Sequence, residues 1–285
     1  MSHSITTKRF PSPNLPRETK SARVIRRPIV FHAWVAVFFG ANFATIILIW
    51  SGYYFWAVPV FFLSSPWYAF QILKPSAHGF GPVVTRFATK RREVWLTIDD
   101  GPDPSSTPKI LDLLDDHGAR ATFFLIGEKI RRHPALVTEI LRRGHTVGNH
   151  THTHPCSKFW VPSAQKTAIE IDNCADALRA AGASGIRWFR SPVGLKNHAL
   201  HPLLAQRGLD LVLWSARGFD TSCHDPAKVV TRIAADLQPG AIILIHENML
   251  NSALQLELFN KLFSRLKHEG YACIIPSAED LIREG

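Results

Sequence analysis

Residues 31–73 contain no Asp, Glu, Lys or Arg. This uncharged run of 43 residues is about twice the ~20 apolar residues that one helix needs to cross a bilayer. A helical hairpin buried inside a soluble protein is the competing account. The aromatic residues favour the membrane: Trp50, Tyr53, Tyr54 and Trp56 cluster at the middle of the run, and Trp67 and Tyr68 lie near its end. Aromatic rings gather in this way at membrane–water interfaces. Two helices over residues 31–50 and 54–73, turning at Ser51-Gly52, account for the pattern.

The charge flanking this run bears on orientation. The formal net charge is +10, and residues 1–30 hold seven Lys or Arg against one acid, Glu18, together with Pro11, Pro13 and Pro16. That composition reads as a flexible basic tail. Arg23, Arg26 and Arg27 precede the apolar run, and Lys74, Arg86, Lys90, Arg91 and Arg92 follow it. Basic residues on both sides predict a membrane hairpin with both ends in the cytoplasm, hence a multi-pass protein of the cytoplasmic membrane. A single span plus an interfacial segment is the alternative, and it sends the rest of the chain outside. A cleaved signal peptide fits less well, because the basic leader is long and no small-residue cleavage site follows. Four cysteines without a CxxC pair are compatible with a reducing compartment. Anionic headgroups account for the positive charge at ~1 kcal/mol per basic residue near the surface. A nucleic-acid partner would want basic residues interleaved with aromatics, and no such stripe is present. The expected partners are therefore the lipid bilayer and whatever the remaining chain binds, with no nucleic acid.

From residue 93 the chain alternates short apolar runs with amphipathic ones. Candidate strands are residues 94–98, 121–126, 146–149, 187–190, 211–214, 241–245 and 271–275, with helical spacing between them. Thr107-Pro108 is a plausible N-cap followed by proline at the first helical position. Near-continuous apolar strands separated by helices indicate parallel pairing with both faces covered. Seven such units point to an α/β barrel, with an open doubly wound sheet as the rival. The organisation expected is a basic tail at 1–30, membrane segments at 31–73, a basic linker at 74–92 and an α/β domain at 93–285.

In both architectures chemistry gathers past the carboxyl ends of the strands. The unusual residues sit there: Asp99-Asp100 after the first strand, His150 after the third, Arg190 closing the fourth, Asp220 soon after the fifth and His246 ending the sixth. His150, His152 and His154 alternate within "HTHTHP". At i, i+4, His150 and His154 share one face of a helical turn and offer two imidazoles to one metal; an extended strand would instead put all three on one side. Pro155 suggests a turning chain, which turns His152 away. A catalytic zinc site takes three protein ligands and keeps a position open, and "TIDDGP" supplies a third ligand with a second carboxylate beside it.

"TIDDGP", "HTHTHP", "RSPVG", "WSARGFD" and "LIH", in this order, resemble the successive motifs of the polysaccharide deacetylase (NodB-homology) family, carbohydrate esterase family 4. The resemblance spans residues 93–275 and implies a distorted (β/α)7 barrel, here preceded by the membrane hairpin. It implies metal-dependent removal of N-acetyl groups from an amino sugar in a polysaccharide, an oligosaccharide or a lipid-linked sugar. Carried over position by position, Asp99 matches the catalytic base and Asp100 a metal ligand. His150 and His154 match the ligand histidines, with Thr151 and Thr153 supporting their loop. Arg190 matches the arginine that pairs with the base, His246 the general acid and Asp220 the carboxylate that orients it. Pro192 and Val193 fall in the substrate-binding motif, and Leu244 matches the leucine lining the acyl pocket. The cofactor implied is a divalent ion, Zn2+ first and Co2+ next.

The sequence departs from the family pattern as well. Ile98 replaces a phenylalanine, Val193 a tyrosine and Thr221 a tryptophan, while Ser215 and Arg217 stand where relatives carry acids. These changes touch substrate recognition more than the chemistry. Two further readings follow: a deformylase or O-deacetylase acting on a lipid-linked sugar, and a catalytically silent carbohydrate-binding relative.

Overall fold

A computed structural model describes residues 28–156, 158–159, 163–247 and 252–284. The basic tail, but for its last residues, lies outside the described residues. The apolar run opens as helix α1, Ile29–Trp50. At 1.5 Å per residue its 22 residues reach about 33 Å, the thickness of a bilayer core. Among the described residues it is the one helix long and apolar enough to cross a membrane.

The second half of the run corrects the expected hairpin. Instead of one helix over 54–73, the chain forms α2, Tyr54–Phe61, then a 3-10 turn at Phe62–Ser64, then α3, Ser65–Leu73. Pro59 lies inside α2 and Pro66 near the start of α3. Each proline removes a backbone donor and crowds the preceding turn, so the segment is broken into pieces of eight and nine residues. Neither piece is of spanning length, and a multi-pass topology is not supported. The broken segment packs alongside α1: Trp34 stacks on Trp67 and Tyr68 at 5.3 and 5.1 Å. The buried Phe80 meets Phe31, Trp67 and Tyr68 edge-on.

The α/β body begins earlier than residue 93. Within the stretch read as a basic linker, Val83–Phe87 forms β1, which pairs antiparallel with a terminal strand, Leu281–Glu284. Then come β2 (Glu93–Gly101), α4 (Thr107–Asp116), β3 (Ala121–Leu125), α5 (Gly127–Arg132), α6 (Pro134–Arg142) and β4 (Thr146–Asn149). They are followed by α7 (Ala164–Ala180), β5 (Trp188–Phe189), α8 (Leu200–Gln206), β6 (Asp210–Leu211), β7 (Ala216–Arg217) and α9 (Pro226–Ala235). β8 (Ile242–His246), α10 (Ser252–His268), β9 (Ala272–Cys273) and β10, the terminal strand already given, complete the chain. α4 starts one residue before the expected helix: Ser106 is its N-cap and Thr107 its first residue.

Seven strands lie in the order β6-β5-β4-β3-β2-β8-β7, all parallel, with β9 on the lower end of β2. This curled parallel sheet with its helices is the expected distorted barrel. The expected strand at 211–214 is where the curl fails to close. The chain leaves β6 after Leu211 and rejoins the opposite edge at Ala216, so the two edge strands are sequence neighbours that do not pair. β1 fills the seam, bridging Val84 to Val212 and Arg86 to Ala241. β2 to β4 and β8 are buried along nearly their whole length, as expected of a sheet covered on both faces. Their carboxyl ends converge on one rim.

Candidate active site

β2 delivers two carboxylates to that rim, and its last residues turn them apart. Asp99 continues the ladder, in register with Phe124 and His246. Asp100 adopts φ +72°, a conformation costly for any residue with a Cβ. Lys129 holds the turn from outside, donating from Nζ to the Asp100 carbonyl at 2.6 Å.

The histidine stretch corrects another expectation. His150 and His154 do not lie on a helical turn; β4 ends at Asn149 and the chain continues as an irregular loop. Left-handed backbone at Thr151 (φ +66°) and His154 (φ +53°) brings the two rings to 4.7 Å between centroids. Glu170 on α7 holds the loop, its carboxylate accepting from the backbone N–H of His152 and of Thr153 and from the Thr153 hydroxyl, each at 2.8 Å. From α5, the N–H groups of Gly127 and Glu128 donate to the carbonyls of Thr151 and His152. His152 is turned away and buried, its Nδ1 against Gly127.

Asp100, His150 and His154 come together at one point. Asp100 Oδ1 lies 3.4 Å from His150 Nε2 and 3.3 Å from His154 Nε2, and the three ligand atoms lie within 4.8 Å of one another. Ligands about 2.05 Å from a tetrahedral zinc ion stand about 3.3 Å apart, so these spacings fit a common ion. The tautomers fit as well. His150 Nδ1 faces the Arg190 carbonyl at 2.8 Å; a carbonyl only accepts, so Nδ1 carries the proton and Nε2 presents a lone pair. His154 Nδ1 faces Cys156 Sγ at 3.1 Å. Asp100 Oδ1 is buried without a hydrogen-bond partner, the condition of a ligand atom awaiting a cation. Burial works against ionisation of Asp100, yet the surrounding imidazoles of His150, His154 and His246 hold its carboxyl below the usual range. Burial pushes His154 down to about 4, with His150 adding to the effect, which leaves it neutral and able to ligate.

Two charged pairs flank this triangle. Arg190, fully buried, donates from Nη1 to Asp99 Oδ1 at 2.7 Å and to Thr97 Oγ1 at 2.7 Å. Its Nε and Nη2 reach the carbonyls of Val212 and Leu213, and its guanidinium lies over the Phe124 ring at 4.1 Å. The remaining Asp99 oxygen is 3.7 Å from His150 Nε2. On the other side His246 Nδ1 donates to Asp220 Oδ1 at 3.0 Å, and the His246 backbone N–H donates to Oδ2 at 2.7 Å. Burial opposes the imidazolium, but the Asp220 hydrogen bond and charge outweigh it and raise the His246 pKa. Leu244 is buried on β8. Pro192 is buried in a 3-10 turn beside Val193, which is 57% exposed with φ +56° and so presents its side chain and backbone to solvent at the rim.

Three residues that support the rim carry no motif and escape sequence reasoning. Besides Glu170 and Lys129 there is Glu247, 1% exposed, which accepts from the hydroxyls of Ser106 and Thr107 and donates its N–H to the Asp99 carbonyl at 2.8 Å. Burial pushes its carboxyl up to about 7. Its place directly after His246 was the one available signal.

Comparison with known proteins agrees with this geometry. The family model described as polysaccharide deacetylase matches residues 87–212. The chain is 36% identical over 157 residues to a chitooligosaccharide deacetylase of Bradyrhizobium, covering 55% of this chain and 71% of that one. It is 29% identical over 215 residues to a peptidoglycan-N-acetylglucosamine deacetylase of Bacillus cereus, covering 73% and 97%. Among solved structures it resembles a carbohydrate esterase family 4 pseudoenzyme from Bacillus anthracis, with TM-score 0.61 and 25% identity over 67% of this chain and 66% of that chain. The chain therefore belongs to the polysaccharide deacetylase family, the NodB-homology proteins of carbohydrate esterase family 4.

Proposed function

We propose that this chain is a membrane-anchored, metal-dependent hydrolase that removes N-acetyl groups from an amino sugar. One observation carries the reading: the Asp100–His150–His154 triangle lies between the Arg190–Asp99 pair and the Asp220–His246 pair. Family membership alone would not suffice, because a pseudoenzyme is among the similar structures. The presence of ligands, base and acid together speaks against a silent relative.

Asp100, His150 and His154 would hold a divalent ion, Zn2+ by the donor set. When bound, such an ion polarises the acyl carbonyl and makes water a nucleophile near neutral pH. Asp99 takes the proton from the attacking water, while the Arg190 guanidinium holds that carboxylate in place. The amine leaves poorly unless protonated, and His246 is placed to give it a proton. Asp220 fixes the His246 tautomer and favours its charged form. Positioned acid–base groups of this kind contribute about 10²–10⁴-fold. Leu244 offers the acyl methyl an apolar wall, and Pro192 and Val193 shape the sugar-facing edge.

α1 serves as the membrane anchor in this reading, retained rather than cleaved. The aromatic packing of Trp34, Trp67, Tyr68 and Phe80 ties it to the body. Lys196, fully buried, donates from Nζ to the carbonyls of Lys74 at 2.6 Å and Pro75 at 2.9 Å. Lys196 closes the loop that begins at Arg190, so the chain just after α3, the helix whose rings stack on α1, is tied to one wall of the site. That attachment favours a second reading, the same hydrolysis, or that of a formyl or O-acetyl group, on a lipid-linked sugar.

The test is acyl release by the metal-loaded full chain on free chitooligosaccharides, peptidoglycan fragments and lipid-linked sugars. Metal-dependent acetate release that Asp100→Ala abolishes is expected. Release indifferent to chelation and to that substitution would overturn the proposal. Turnover of free oligosaccharides with none of lipid-linked sugars would remove the second reading.

A further inference from the structure

Arg217 stands where the family pattern has an acid, and the structure surrounds it with aromatic rings. It is the Cα partner of Leu244 across the β7–β8 ladder, and such partners present their side chains to the same face of a sheet. Arg217 thus shares a face with the residue placed against the acyl group. Its guanidinium lies over the Phe219 ring at 4.0 Å and the Trp214 ring at 5.3 Å. Trp214 in turn lies 5.8 Å from the guanidinium of Arg190, so Arg217 belongs to the wall that begins at Asp99.

Among the described residues none accepts a hydrogen bond from Arg217, and its Nε is buried without a partner. Asp220, whose charge acts on Arg217, has both oxygens engaged by His246. A partly desolvated guanidinium with unfilled donors is unfavourable unless an anion completes it. Its planar fork suits a carboxylate or a phosphate. The neighbouring residue points the same way: Phe219 is 46% exposed with φ +60°, and backbone strain of this kind at a bulky residue clusters at ligand sites. Arg232, 5.9 Å from the same ring, adds a second positive charge.

We infer that Arg217 recognises an anionic group, a phosphate or a carboxylate, borne by the sugar whose amide is cut. The inference rests on the deacetylase reading. Arg217 acts in specificity and takes no part in bond breaking.

The experiment measures acetate release by the metal-loaded full chain in detergent micelles on three N-acetylated substrates. One is a neutral chitooligosaccharide, one a muramyl fragment with its lactyl carboxylate, and one a lipid-phosphate-linked N-acetylhexosamine. At least one anionic substrate should exceed the neutral one by about tenfold or more in kcat/KM, the scale of a charge-assisted hydrogen bond. Arg217→Met should collapse that ratio through KM, and Arg217→Lys, which keeps charge without the fork, should fall between. Added salt should shrink the preference. The favoured arm identifies the source of the anion. Equal turnover of all three substrates by the wild type overturns the inference while leaving the deacetylase reading in place. So does a uniform loss in Arg217→Met, the mark of a merely structural residue. No release from any substrate removes both.

Discussion

Replacing Arg190 by methionine tests whether the barrel interior is organised around charge. Met retains much of the volume and removes every donor. Four hydrogen bonds go: to Val212 O, Thr97 Oγ1, Asp99 Oδ1 and Leu213 O. Asp99, 2% exposed, is left as a buried carboxylate without its cation, and breaking a buried pair from one side costs about 3–5 kcal/mol. The two carbonyls lose a donor at about 1 kcal/mol each. The sum is about 5–7 kcal/mol, and at roughly 2–4 °C per kcal/mol for a domain of this size the midpoint should fall by 10 °C or more. The double variant Arg190→Met/Asp99→Asn carries no stranded charge and should recover about 3 kcal/mol relative to additivity. Urea and thermal unfolding of the full chain in micelles, followed by near-ultraviolet circular dichroism, measure both quantities. A loss under about 1 kcal/mol for Arg190→Met, or strict additivity in the cycle, refutes the argument.

Removing a proposed ligand, as in His154→Ala, should weaken binding of added zinc by about two orders of magnitude or more, since even residues that only orient ligands contribute 10–100-fold; competition with a chromophoric chelator reads this, and unchanged affinity would place the metal elsewhere. Asp220 raises the His246 pKa, so the proton needed for the leaving amine is retained to higher pH; Asp220→Asn should move the alkaline limb of the kcat/KM profile to lower pH, and a limb that stays put assigns it to another group. Glu247 has a folded pKa raised from 4.5 to about 7, so the neutral carboxyl's advantage is complete below about pH 4.5 and lost as pH rises through 7. At ~1.4 kcal/mol per pH unit this is about 3 kcal/mol, and Glu247→Gln should abolish that slope in unfolding experiments across the interval. Carbonate extraction should leave the full chain in the membrane pellet with α1 present by amino-terminal sequencing; a soluble chain starting after residue 50 would make α1 a cleaved signal.

The parallel strands and the residues at their ends were readable because each signal is local. An apolar run such as residues 94–98 must be buried wherever it goes, and Asp99-Asp100, His150, Arg190, Asp220 and His246 each follow such a run. A stretch without charge likewise announces an apolar environment before its shape is known. Other features depend on partners far away in sequence. Pro59 and Pro66 fall within the helix expected over residues 54–73, which the structure shows divided. β1 has no pattern of its own beyond two valines and a phenylalanine, and it exists because the seam between β6 and β7 needs filling.

The site shows the same division. Residue identity alone determined which atoms are able to bind a cation or carry a proton, since that chemistry belongs to the side chain. Tertiary structure decided how they meet. Left-handed backbone at Asp100, and at Thr151 and His154 where spacing had suggested a helical turn, is held by Lys129, Glu170 and the start of α5. The surroundings of Arg217 are equally a tertiary fact, because the Trp214 and Phe219 rings and the orphaned Nε are set by what the fold brings near it.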